Sequence, residues 1–99
     1  MGWTKPKPIQ PAHTRSIPEA TPGIYRLHNQ YGTVVYVGRS TDLERRLSHY
    51  HQKDDFKEHP TKRAVRKEAT HFSFKVVKNK RKRRSKERRL KQGKKYNHL

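Results

Sequence analysis

Tyr25, Tyr36, Arg46 and Glu87 are the side chains in this 99-residue chain whose types suit a reaction at a phosphate ester. A guanidinium is planar and grips two phosphate oxygens at once, which an ammonium cannot do. A carboxylate is a hard oxygen ligand of the kind Mg²⁺ or Mn²⁺ takes, and a single one leaves most of an octahedral shell to water and substrate. A phenol ionises near pH 10, so accepting a proton from water near neutrality requires cationic neighbours or a metal. Arg26, Arg39 and Arg46 lie close to the two tyrosines in sequence or in expected space.

Taken one at a time, these residues have plainer explanations. Tyr25 and Tyr36 would serve as a cross-strand aromatic pair, and Arg46 as a helix-surface partner of Asp42, four residues before it. Glu87 has Arg83 and Lys91 four residues away on either side. It is nevertheless the sole acid in a strongly basic stretch, which favours a metal ligand over a solvated ion pair. His49 and His51, two apart on an expected helix, face different directions and do not form a zinc site.

The elements that would carry these residues are legible from local patterning. Gly23 to His28 and Thr33 to Val37 are strand-like runs around Asn29, Gln30, Tyr31 and Gly32, a β-hairpin. Thr41 and Glu44 have capping-box spacing, and Leu43, Leu47 and Tyr50 recur at helical intervals, predicting a helix to about His51. Pro60 suits the start of a second helix carrying Ala64, Val65 and Ala69. Phe72, Phe74 and Val76 alternate with polar residues as a third strand. Between Lys78 and Lys95 stand twelve basic residues and one acid, Glu87, a stretch expected to be helical, anchored by Leu90 and stopped by Gly93. A disordered basic tail or localisation signal is the competing expectation there.

Five of the six prolines fall before Gly23, so residues 1–21 are expected to be an extended basic arm, with Trp3 and Ile9 free or docked, and residues 22–99 one domain. The expected class is α+β: a small three-stranded antiparallel sheet made of the hairpin and a later strand, flanked by helices. The chain has room for one domain and none for a separately folded recognition module. Only 28% of its residues are hydrophobic against 34% charged, so the core is expected to be thin.

Tyr25 closes the tripeptide Gly23, Ile24, Tyr25, and Tyr36 opens a second, Tyr36, Val37, Gly38, with ten residues between the tyrosines. Arg46 follows ten after Tyr36, Tyr50 four later, then Glu87 on a helix after the third strand, and Asn97 beyond it. In this order the chain resembles the GIY-YIG nucleases over Pro22 to Asn97. Its pattern around Arg39, Leu43, Arg46 and Tyr50 looks most like the corresponding domain of the bacterial nucleotide excision repair nuclease, and it is also similar to the catalytic domain of homing endonucleases. It departs in having Val37 in the second tripeptide, no proline before Asn97 and a slightly short stretch from Glu87 to Asn97.

The resemblance implies a metal-dependent endonuclease. Its catalytic set would be Tyr25, Tyr36, Arg46 and Glu87, with Glu87 as the ligand of Mg²⁺ or Mn²⁺. Tyr25 is the first choice of general base, and Tyr36 orders the water or exchanges that role. Gly23, Gly38, Arg39, Tyr50 and Asn97 would support the site, Asn97 by tying down the C-terminus.

The net charge of +18, from 26 Lys and Arg against 8 Asp and Glu, makes a polyanion the expected partner. Arg39, Arg45, Lys82, Arg83, Lys86 and Arg89 are the expected nucleic-acid contacts, DNA favoured over RNA. Recognition would be structure-directed or of low sequence specificity, with an accessory protein as a source of targeting. The alternative is a non-catalytic basic nucleic-acid-binding protein, and a polybasic lipid-surface module ranks third. No apolar run, signal segment or lipidation motif favours a membrane, so an intracellular, cytoplasmic location is expected, nucleoid or nuclear residence also fitting. The absence of cysteine excludes disulfide, zinc-ribbon and thiol chemistry. Oligomeric state is left open.

Overall fold

The computed structural model describes residues 2–51 and 60–91. In chain order the elements are β1 (Lys7–Pro8), α1 (Pro11–Thr14), β2 (Gly23–His28), β3 (Val34–Ser40), α2 (Leu43–Ser48), a 3₁₀ turn (His49–His51), α3 (Pro60–Glu68), β4 (His71–Val76) and α4 (Lys80–Lys91). The strands form one antiparallel sheet in the order β1-β4-β2-β3. Gly93, Asn97 and the rest of the C-terminal tail lie outside the described residues.

The class is the expected α+β, but the sheet has four strands and not three. The fourth comes from the proline-rich arm. Lys7 and Pro8 pair with Phe72 and His71, while the Thr4 amide donates to the Phe74 carbonyl at 2.9 Å and the Ile9 amide to the Thr70 carbonyl at 3.0 Å. Proline cannot donate to a ladder, so it is tolerated where a strand lies at the edge and only part of its backbone is paired. Thr4 and Ile9 supply the donors that the prolines lack. Pro11 then starts α1, where its missing amide costs nothing.

Two further details differ from the sequence expectations. β3 runs past Gly38 to Ser40. The N-cap of α2 is Asp42, whose carboxylate accepts from the Arg45 amide at 3.2 Å, in place of the expected Thr41 to Glu44 box. Asp42 is thereby engaged with backbone and not with Arg46. In the hairpin loop Asn29 Oδ1 accepts from the Tyr31 and Thr33 amides, and Gly32 takes φ +83°, a left-handed turn conformation that favours glycine.

Side chains opposite one another in paired strands share a face. Tyr25 lies opposite Phe74 and Gly38, and Leu27 opposite Phe72 and Tyr36. This face builds the main core with Ile17, Val35, Leu43, Leu47, Tyr50 and Val65 under the helices. Ile24, opposite Lys75 and Arg39, belongs to the other face. There Ile24, Val37 and Val77 form a smaller cluster covered by Trp3, Val34 and Leu90.

Two glycines fix how closely these parts approach. A Cβ at Gly23 would collide with the Lys75 carbonyl of the neighbouring strand, and one at Gly38 with the Tyr25 ring that lies across it. Because Tyr25 is 1% exposed, its ring has nowhere to retreat. Gly38→Ala is therefore expected to cost about 1–3 kcal/mol, the range for overpacking a filled core, read as a lowered denaturation midpoint with an unchanged m-value.

Candidate active site

The sheet places the tyrosines diagonally. Tyr25 faces Gly38 across the β2–β3 ladder, and Tyr36 stands two residues before Gly38, so the glycine leaves room for the two rings to meet. Their centroids are 6.1 Å apart at 37°. Tyr50, delivered by the 3₁₀ turn after α2, packs edge-on against Tyr25, also at 6.1 Å, and the two hydroxyls share a 3.2 Å hydrogen bond. Arg66 Nε donates to the Tyr50 carbonyl at 2.9 Å and so ties α3 to that turn.

Burial differs sharply among the three phenols and sets what each is able to do. Tyr25 and Tyr50 are 1% and 3% exposed, whereas Tyr36 is half-buried. Burial, followed by repulsion from Tyr50 and Tyr36, holds the Tyr25 hydroxyl well above its usual ionisation range. Tyr50 is raised for the same leading reason. Tyr36 is raised by burial first and then by the negative charge of Glu87. Arg46 acts on all three in the opposite sense, favouring the phenolate, so this guanidinium on α2 lies within electrostatic reach of the whole cluster.

Glu87 comes to the same place from α4. It is 8% exposed, its Oε1 accepts from Arg39 Nη1 at 2.7 Å, and Lys91 Nζ is 3.6 Å from Oε2. The expected partner Arg83 is elsewhere. Arg83 is 7% exposed and donates from Nη1 to the Val77 and Lys78 carbonyls at 3.0 and 2.9 Å, pinning the start of α4 to the end of β4. Nη1 is committed to those carbonyls, and the same side chain also lines the cation-walled hollow at that end of α4.

Beside this cluster lies a cavity of about 400 Å³ lined by Arg39, Ser40, Thr41, Arg46, Arg84 and the N-terminal turn of α4, including Lys80 and Arg83. A neighbouring hollow of about 210 Å³ shares Ser40, Thr41 and Arg46 and adds Asp42, Arg45 and His49. The larger cavity has five cationic side chains in its wall and no carboxylate, so it is suited to phosphate groups. Lys82, Lys86 and Arg89 occupy a different stripe of α4 and do not line it.

Among the described residues no three His, Cys, Asp or Glu side chains gather as a metal cage. The carboxylate that the described residues bring to Tyr36, and that could serve as a single metal ligand, is that of Glu87. Glu87 fits that role, since a carboxylate with one oxygen engaged by Arg39 keeps free lone pairs for a divalent cation whose other ligands are water and phosphate. The sequence did not signal Arg39 as the residue orienting Glu87, nor Lys80, Arg84 and Arg66. The separation of 48 residues between Arg39 and Glu87 leaves no local pattern to find.

Comparison with known proteins agrees with this architecture. The family model described as "UvrC-like GIY-YIG domain" matches residues 21–97. Among curated relatives, UvrABC system protein C from Neisseria meningitidis serogroup B is 44% identical over 45 residues, and that from Methanosarcina barkeri is 46% identical over 57. The matched segments span 7% and 10% of those proteins, so this chain is similar to a small part of each. Among solved structures, the GIY-YIG N-terminal endonuclease domain of UvrC from Thermotoga maritima, bound to its catalytic magnesium, superposes with a TM-score of 0.65 at 26% identity, covering 84% of this chain and 93% of that one.

Proposed function

The chain belongs to the UvrC-like GIY-YIG domain family, and on that footing we propose that it is a divalent-metal-dependent endonuclease hydrolysing phosphodiester bonds in DNA. The observation that carries this is the meeting of Glu87 with Tyr36, and of Arg46 with all three phenols, beside a cation-walled cavity.

In this mechanism the cavity wall of Arg39, Lys80 and Arg84 holds the phosphate backbone, and Arg46 clamps the oxygens of the scissile phosphate, offsetting charge that builds in the transition state. Glu87 would hold Mg²⁺ or Mn²⁺, oriented by Arg39. When bound there, the cation supplies Lewis-acid stabilisation and cancels the carboxylate charge that disfavours the Tyr36 phenolate. Tyr36 takes the proton from the attacking water. It replaces Tyr25 as first choice because a residue 1% exposed, with its hydroxyl bonded to Tyr50, does not meet a water molecule. Tyr25 and Tyr50 instead hold Tyr36 in place through packing. Substrate selection is structure-directed or of low sequence specificity, with targeting supplied by a partner protein inside the cell, consistent with the similarity to a component of the UvrABC system.

The test is single-turnover cleavage of branched, duplex and single-stranded DNA with and without Mg²⁺. All three phenols are raised, so their reactive ionised form is scarce at neutral pH. The rate is therefore expected to rise with pH, about tenfold per unit below the operative pKa. Chelation is expected to abolish it. Salt-dependent DNA binding with no cleavage under any metal would leave a basic binding protein in its place.

A further inference from the structure

We propose that the sheet face turned away from the tyrosines carries a second nucleic-acid site, in which Lys75, Lys82, Lys86 and Arg89 hold the phosphodiester backbone of a strand segment beside Trp3. It rests on the nucleic-acid half of the function proposed above and is independent of catalysis.

Register separates the two sites. Lys75 lies opposite Ile24, on the face of the smaller cluster, whereas Tyr25 and Tyr36 belong to the face of Leu27, Phe72 and Phe74. On α4 the cations are divided by helical stripe. Arg83, Glu87 and Lys91, at intervals of four, form the stripe whose Glu87 reaches Arg39. Lys82, Lys86 and Arg89 form the adjacent stripe, by the helical spacing of four and seven. Together with Lys75 and Leu90, Lys86 and Arg89 line a groove of about 180 Å³ that has Trp3 in its wall.

Among the described residues no acid lines this groove. Lys86 and Arg89 of α4 share that groove with Lys75 of β4. Ammonium groups kept this close are relieved when an anion binds between them. Positions four and seven residues apart on a helix are roughly 6 and 10 Å apart along its axis.

The aromatic wall is fixed in advance. Trp3 carries the Arg26 guanidinium 3.8 Å over its ring, and its neighbour Thr4 is bonded twice to Phe74, through the backbone at 2.9 Å and the Oγ1 atom at 3.0 Å. The arm that adds β1 to the sheet thus also brings the indole to the basic groove. An aromatic ring beside a cationic track is the arrangement that takes an unpaired strand, a base meeting the Trp3–Arg26 stack and the backbone meeting the cations. Vesicle surfaces present charge on a plane, whereas these cations line a groove between β4 and α4. With one segment at the tyrosines and another here, a small chain grips both arms of a branched or sharply bent substrate.

Trp3 is the sole tryptophan, so its emission reports on this groove directly. The full chain, without divalent metal, is titrated with a dye-labelled single-stranded oligonucleotide while Trp3 emission and label anisotropy are followed together. Trp3 emission is expected to change and saturate with the anisotropy. In the Lys75→Gln, Lys86→Gln chain the emission response is lost and the salt slope of log affinity falls by about 1.4, roughly 0.7 per phosphate contact on a single strand. The Lys75→Arg, Lys86→Arg chain keeps the response. Glu87→Ala also keeps it, because that residue does not line the groove. Oligonucleotide binding with silent Trp3, an undiminished response in the glutamine pair, or a response to phosphatidylserine vesicles and not to oligonucleotide would each overturn the proposal. Absence of cleavage with an intact Trp3 response would instead remove the catalytic function and leave this site standing.

Discussion

Glu87→Ala is expected to lower the single-turnover rate of phosphodiester cleavage by roughly 10²–10⁴-fold while leaving DNA affinity unchanged or higher. Glu87 is the carboxylate brought to Tyr36, so in the proposed mechanism its loss removes the protein ligand for a divalent cation. A metal acting as Lewis acid contributes several kcal/mol at a phosphoryl transition state, and each 1.36 kcal/mol is a factor of ten in rate. Binding should respond in the opposite sense. Removing one of 8 acids from a chain of net charge +18 frees Arg39 and Lys91 from their pairing and strengthens the field felt by a polyanion. Because the Arg39 pair is partly exposed, folding should change little. Cleavage rate and fluorescence anisotropy on the same labelled substrate measure both sides; equal cleavage by variant and parent chain would remove Glu87 from the mechanism.

Tyr36→Phe and Tyr25→Phe should divide activity from stability. Losing a positioned proton acceptor costs typically about 10²–10⁴ in rate, and Tyr36 is the phenol with access to water. Its removal should also flatten the rise of rate with pH. The Tyr36 hydroxyl is not fully enclosed, so the midpoint of denaturation should move little. Tyr25→Phe removes a buried hydroxyl bonded to Tyr50 at 3.2 Å, and a broken buried hydrogen bond costs about 1–3 kcal/mol. That variant should melt earlier and retain more activity than Tyr36→Phe. The reverse ranking, with Tyr25→Phe the less active and Tyr36→Phe the less stable, would return the base to Tyr25.

The two variants also show why burial ranks above position in a motif. Both tyrosines sit in equivalent tripeptides, and nothing in their spacing tells them apart. The difference arises because β2 is central, covered by α2 and by the 3₁₀ turn carrying Tyr50, while β3 is an edge strand with α4 alongside. Only the stacking of those layers leaves one phenol half-open and seals the other.

What the sequence by itself determined are features carried by short-range periodicity and by chain order. The alternation in β2 and β4, the Leu43, Leu47 and Tyr50 stripe, and the start of α3 at Pro60 each follow from residues within a few positions of one another. The order Tyr25, Tyr36, Arg46, Glu87 marked the family on which the matched domain model agrees. Tertiary structure alone decided the rest. It turned the proline-rich arm into a fourth strand, because the donors of Thr4 and Ile9 find acceptors only once β4 is in place. It gave Glu87 to Arg39 and tied Arg83 to the Val77 and Lys78 carbonyls, since α4 has several basic stripes and its packing against β3 selects which one faces the site. It also divided one run of cations between two hollows, Lys80, Arg83 and Arg84 lining one and Lys86 and Arg89 the other. Contacts between residues 48 apart are fixed by how whole elements pack, and a local pattern has no means to encode which face of a uniformly basic helix will turn inward.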